Sequence, residues 1–184
     1  LKHLAHLPEH HPPILVVNQK HSDVVDKQLK SVDLESIEII YEPEGRNTAP
    51  AITLAALCAQ EEDPDAILLA MPIDHCFIEL SPLIEAIGDV HDIAQQGYLV
   101  AFGIEAESPK TDFGYIKADK AIGKAFTIDQ FLEKPDKEKA KEFCACGNYY
   151  WNAGIFLFRA STMLKEMEKL CPDIYQYCHD AWQK

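Results

Sequence analysis

Short apolar runs separated by segments of helical period restrict this chain more than any other feature of its sequence. The first run, 14–17, follows Pro12-Pro13 and reads as a buried strand. A helix is expected over 21–32, where Val24, Val25, Leu29 and Val32 recur at helical spacing behind Ser22 as a cap. A strand at 37–41 stops at the turn Glu42-Pro43-Glu44-Gly45, and a helix over 49–60 carries Pro50 in its first turn. A strand at 66–70, broken by Pro72, a helix at 83–94 and a strand at 98–104 continue the order. Strands alternating with helices of about a dozen residues build βαβ units, so the expected fold is α/β: a Rossmann-like mixed, mostly parallel sheet flanked by helices. Past residue 105 strands are expected at 114–117, 126–133 and 155–158, with helices over 136–146 and 161–184.

The 184 residues, 47% of them hydrophobic, suffice for one domain with a real core. With 30 acidic against 17 basic side chains, the net charge of −13 opposes binding to nucleic acid through a broad basic face. No apolar run reaches the roughly 20 residues of a membrane helix and no signal peptide opens the chain, which predicts a soluble, cytoplasmic protein away from membranes. The six cysteines are scattered and read as reduced thiols; Cys144-x-Cys146 is one residue short of the usual zinc spacing. His3, His6, His10 and His11 surround Pro8 and read as part of a flexible leading segment over 1–13.

In open α/β sheets, ligands sit outside the carboxyl ends of the strands, which singles out the loops 41–48 and 71–75. In the first, Arg46, Asn47 and Thr48 precede a helix whose free N–H groups suit an acceptor-rich ligand; the alternative is a capped loop with Arg46 paired to Glu44. In the second, Asp74 at a strand end suits a hard cation such as Mg²⁺, or it caps a turn. Glu133-Lys134 ends a strand with a sugar-hydroxyl acceptor and a phosphate partner, or with a solvated ion pair. Asn152 is the informative member of the aromatic segment 149–154, placed just before a strand.

Together, EPEGRNTAPA at 42–51, MPIDH at 71–75, FGYIK at 113–117, FLEKP at 131–135 and YYWNAGIFLF at 149–158 closely resemble the mannose-1-phosphate guanylyltransferases, over residues 14–170. The resemblance implies the nucleotide-diphospho-sugar transferase fold of GT-A type, with 14–104 as a nucleotide-binding half and 105–184 as a sugar-phosphate-binding half. It implies GTP and mannose 1-phosphate as substrates, GDP-mannose as product and Mg²⁺ as cofactor. Asp74 would hold the metal and, with Lys134 on the sugar phosphate, serve catalysis. Glu42, Arg46, Asn47, Thr48 and Pro50 would lie against the nucleotide, and Gly114, Tyr115, Glu133, Lys134 and Asn152 against the sugar. Ile73 and Ala153 stand where the family usually has alanine and serine. The family's glycine-rich triphosphate loop is expected ahead of residue 1 and its second metal-binding aspartate past the chain's end. The sheet is therefore expected to lack its first strand, and this chain alone to be nearly inactive and prone to homo-oligomerise through an open edge. The alternative is a non-catalytic relative that binds sugar nucleotides or regulates an active subunit.

Overall fold

The computed structural model describes residues 10–30 and 37–183. Strand β1 (Ile14–Asn18) pairs in parallel with β2 (Glu38–Glu42). A single 3-10 turn (Gln19–His21) leads into α1 (Ser22–Leu29). Ser22 is the first residue of that helix and does not cap it. The capping bond comes earlier, where the Asn18 side chain accepts from the Lys20 N–H. Val32, His3 and His6 lie outside the described residues.

Helix α2 (Thr48–Glu62), rich in alanine and leucine, packs on β1, β2 and the next strand, β3 (Ile67–Ala70). Helix α3 (Ser81–Gln95) and β4 (Val100–Glu105) follow. The hairpin of β5 (Tyr115–Ile122) and β6 (Ala125–Leu132) comes next. Helix α4 (Lys137–Cys146) starts on the Asp136 side chain, which accepts from the Lys139 N–H, and stops at Gly147 in the left-handed region. Strand β7 (Tyr149–Arg159), α5 (Ala160–Leu170) and α6 (Pro172–Trp182) complete the chain. No helix among the described residues is long and apolar enough to cross a membrane.

The α/β character matches the alternation in the sequence, but the sheet is less parallel than the βαβ rhythm predicts. Among the described residues β1 and β2 form the parallel pair, while β7 pairs antiparallel with β3, β4 and β5. Strands β3 and β4 point the same way, yet β7 lies between them. Strand β7 is also longer than the expected 155–158, because the aromatic residues Tyr149, Tyr150 and Trp151 already pair with β4 and β5.

Both faces of β7 are covered. Ala56, Leu57, Leu164 and Cys178 from α2, α5 and α6 form one cluster, joined by Leu68. Val90 and Ala94 of α3 pack on Leu157, and Tyr115, Ala140 and Phe143 form a third cluster. Phe143 stacks on Tyr149 with ring centroids 4.2 Å apart. Each fully buried large apolar side chain contributes about 1.5–3 kcal/mol, so these clusters fix the sheet on which the site is built.

Gly103 in β4 allows β4 and β7 to approach closely. A Cβ there would stand 2.7 Å from Tyr150 Cβ, an atom that cannot swing away as a side-chain tip can. Gly103→Ala is expected to lower unfolding stability by about 1–3 kcal/mol, read as a shifted urea midpoint at constant slope.

Candidate functional site

On one side of β7, two strands meet end to end. The β3 ladder stops at Ala70 opposite Phe156, and the β5 ladder starts at Tyr115 opposite Trp151. The loop that leaves β3 carries Asp74, and the loop that enters β5 carries Gly114, so the junction over residues 152–155 gathers both. Asn152 donates its N–H to the Gly114 carbonyl at 2.8 Å and stands opposite Gly103 on the other side. Glu133 Oε2 lies 2.8 Å from where a Gly114 Cβ would be. Gly103 and Asn152, in β4 and β7, therefore form one row with Gly114 and Glu133, which flank the adjacent ends of β5 and β6.

The two glycines let neighbouring side chains close in on either side of the one amide: Tyr150 lies over Gly103, and the Glu133 carboxylate and the Phe131 ring lie over Gly114. Side chains alternate along a strand, so Trp151 and Tyr115 point to the opposite face, where Trp151 meets Phe113 edge-on with centroids 5.5 Å apart. A half-buried amide and an exposed carboxylate on one face suit the hydroxyls of a polyhydroxylated ring.

Asn152 Oδ1 accepts from the Gly154 N–H at 3.1 Å, and among the described residues its Nδ2 donates to none. Asn152 thus lies inside β7 and not before it. Tyr115 is corrected as a sugar ligand: its side chain is fully buried and its hydroxyl donates to the Lys110 carbonyl at 2.8 Å. The phenol closes the core, and only its backbone borders the row.

Lys134 follows Glu133 directly, their charges 3.6 Å apart and both exposed. Its backbone has φ +46, a left-handed conformation uncommon outside glycine. Asp74 stands exposed in a turn just past β3. Among the described residues no group of three or more His, Cys, Asp or Glu side chains is arranged to hold a metal ion. All six cysteines are free thiols.

The loop 42–50 belongs to β2 and α2. Glu42, Glu44, Arg46 and Pro50 line a groove of about 1070 Å³ together with Leu54, Tyr177 and Trp182. Asn47 and Thr48 do not line it. Burial pushes the Glu42 carboxyl above its usual range. Arg46 is bound to Glu44 at 2.7 Å as the capped-loop reading expects, and with both partners mostly exposed the pair contributes little stability. Asn47 occupies the N-cap position of α2 with φ +68 and ψ −169, and its side chain makes no capping bond. That corner of the map is nearly restricted to glycine, so the loop is strained and the first N–H groups of α2 lack a side-chain cap.

Helix α6 borders this groove as well, through contacts between residues too far apart in the chain to be read locally. Cys178 Sγ lies 3.9 Å from the Pro50 carbonyl, and Trp182 Nε1 donates to Glu61 Oε1 at 2.6 Å. Gly103 was also missed, since a lone glycine in an apolar run acquires meaning only from its cross-strand neighbour.

The nucleotidyl transferase family model matches residues 3–184. The alginate biosynthesis protein AlgA of Pseudomonas syringae pv. tomato is 44% identical over 169 residues, covering 90% of this chain and 35% of AlgA. A mannose-1-phosphate guanylyltransferase of Salmonella muenchen is 43% identical over 172 residues, covering 92% of this chain and 36% of that protein. The crystal structure of mannose-6-phosphate isomerase from Helicobacter pylori superposes with a TM-score of 0.83 at 34% identity, covering 94% of this chain and 65% of that one. This chain thus spans little more than a third of the length of these curated relatives. A match along nearly its whole length, on a mixed sheet whose strand-end loops converge over β7, makes the chain a member of the nucleotidyl transferase family.

Proposed function

We propose that the protein transfers a guanylyl group from GTP to mannose 1-phosphate, releasing pyrophosphate and forming GDP-mannose. A phosphate oxygen of the sugar phosphate attacks the α-phosphorus in line while the bond to the bridging oxygen of the β-phosphate breaks. Such a reaction needs positioning and charge neutralisation more than a nucleophilic side chain. The observation that carries the reading is the row of Gly103, Asn152, Gly114 and Glu133, which ends beside Lys134. Asn152 Nδ2 and the Glu133 carboxylate take sugar hydroxyls, and the Lys134 ammonium takes the sugar phosphate. The loop 42–50 and the free N–H groups of α2 receive the nucleotide.

A lone exposed carboxylate at a strand end fits Mg²⁺, which is commonly held by one or two carboxylates with substrate phosphates and water completing its shell. Asp74 is the residue that would hold it, and a bound Mg²⁺ would neutralise phosphate charge. The names of the relatives favour mannose and guanine over other sugars and bases.

The test is a titration of the purified chain with GDP-mannose, GDP-glucose and UDP-glucose, followed by calorimetry. At least tenfold tighter binding of GDP-mannose than of UDP-glucose is expected. Equal affinities would remove the guanine and mannose assignment. Binding by the full-length gene product without pyrophosphate release would favour the non-catalytic alternative.

A further inference from the structure

Between Asn152 and Phe156, β7 departs from regular pairing. Asn152 faces Gly103 and Phe156 faces Ala101, so the single residue Phe102 of β4 stands against three residues of β7. The chain stores the excess in a bulge at 153–155, with Gly154 at φ +69 and its N–H held by Asn152 Oδ1. A Cβ at Gly154 would lie 3.4 Å from Pro72 Cγ, so the bulge rests against the loop that leaves β3.

We infer that Gly154 is a positioning residue, whose left-handed bulge sets where Pro72 lies and therefore where Asp74 stands relative to Asn152 and Glu133. The assignment rests on the reading of Asp74 and Asn152 as parts of one site. Contacts at and beside the bulge reach both loops: Gly154 bears on Pro72, two residues before Asp74, and the adjoining Asn152 bonds to Gly114, which abuts Glu133. A residue that rejects positive φ would draw 153–155 back toward a regular pleat. Each residue returned to the pleat moves the strand by about 3.3 Å, which would pull Asn152 Oδ1 from the Gly154 N–H and displace Pro72. Bulges beside sites commonly re-aim side chains in this way. Asparagine accepts the left-handed region far better than alanine or valine, so it is the conservative variant.

The experiment compares the unaltered chain with Gly154→Ala, Gly154→Asn and Asp74→Asn. The first readout is the backbone amide spectrum of the ligand-free chain. The second is the ratio of GDP-mannose dissociation constants without and with Mg²⁺. In Gly154→Ala the amides of 73–75 are expected to shift and the Mg²⁺ enhancement to fall at least fivefold. Gly154→Asn should keep at least half of that enhancement. Unshifted 73–75 amides, or an enhancement in Gly154→Ala equal to the parent's, would overturn the inference. If Gly154→Ala fails to fold, Pro72→Ala replaces it, with the same shifts expected and the same outcomes decisive. Asp74→Asn separates the two failures: an undiminished enhancement there sinks the metal reading, while the amide shifts still decide the role of Gly154.

Discussion

Lys134→Gly is expected to make the protein more stable and nearly inactive. Lys134 holds φ +46, and a non-glycine residue there carries a cost of about 1–2 kcal/mol that glycine escapes. Its side chain is mostly exposed and its near partner is the adjacent Glu133 at 3.6 Å, so little folded-state energy is lost with the ammonium. Part of the gain is offset by glycine's freer unfolded chain, leaving a rise of about 0.5–1 kcal/mol, or a few degrees in Tm. Removing the cation from the transferring phosphates should lower kcat/KM by about 10²–10³-fold, the range for a preorganised charge partner. Lys134→Ala separates the effects: it should lose the same activity without gaining stability. The measurements are pyrophosphate release from GTP and mannose 1-phosphate by the full-length gene product, and thermal melting. Activity within tenfold of the parent would remove Lys134 from the chemistry.

A larger kinetic loss is expected from Asp74→Asn, with almost no change in stability. Asp74 is exposed at the end of β3, and an isosteric amide there should alter unfolding by less than about 0.5 kcal/mol. The amide keeps the shape but removes the charge that suits Mg²⁺, so turnover should fall by about 10³-fold or more. Raising the Mg²⁺ concentration should restore part of it. A variant as active as the parent at low Mg²⁺ would show that the metal is held elsewhere. Asp74→Glu should fall between the two, because the carboxylate remains while the phosphate oxygens must shift to meet it.

The order of elements was legible because most of it depends on local chemistry. Pro50 near the start of α2, Asp136 as the cap of α4 and Gly147 past its end each carry their reason within a turn of the chain. Pairing direction was not legible, since the antiparallel place of β7 between β3 and β4 joins residues far apart in sequence. Gly154 concealed the length of β7, because a glycine in an apolar run reads as a break and here marks a bulge. The candidate loops could be singled out because they sit at strand ends and carry groups a core would not hold, as Asp74 and Lys134 do, whereas Asn152 lies within β7. Tyr115 failed as a ligand for a physical reason: strand alternation puts its ring on the α4 side, among Ala140 and Phe143. The two non-glycine residues with positive φ among those described, Asn47 and Lys134, both fall in loops chosen from sequence, where strain is commonly found at functional positions.

Strand β7 bears on how such a site could close over a ligand. It bonds to β4 along both its early and its late residues, to β3 along the late ones and to β5 along the early ones, so β3 and β4 before residue 106 and β5 and β6 after it are parts of one sheet, apart from the β1–β2 pair. Opening a cleft between those two stretches would break ladder bonds on both sides of β7 at once. Gating over this sheet therefore falls to the loops that hang from it, 71–80 and 106–114. The sheet itself would act as a stationary bench, and the pace of ligand release would follow the motion of short segments, without a hinge between two lobes.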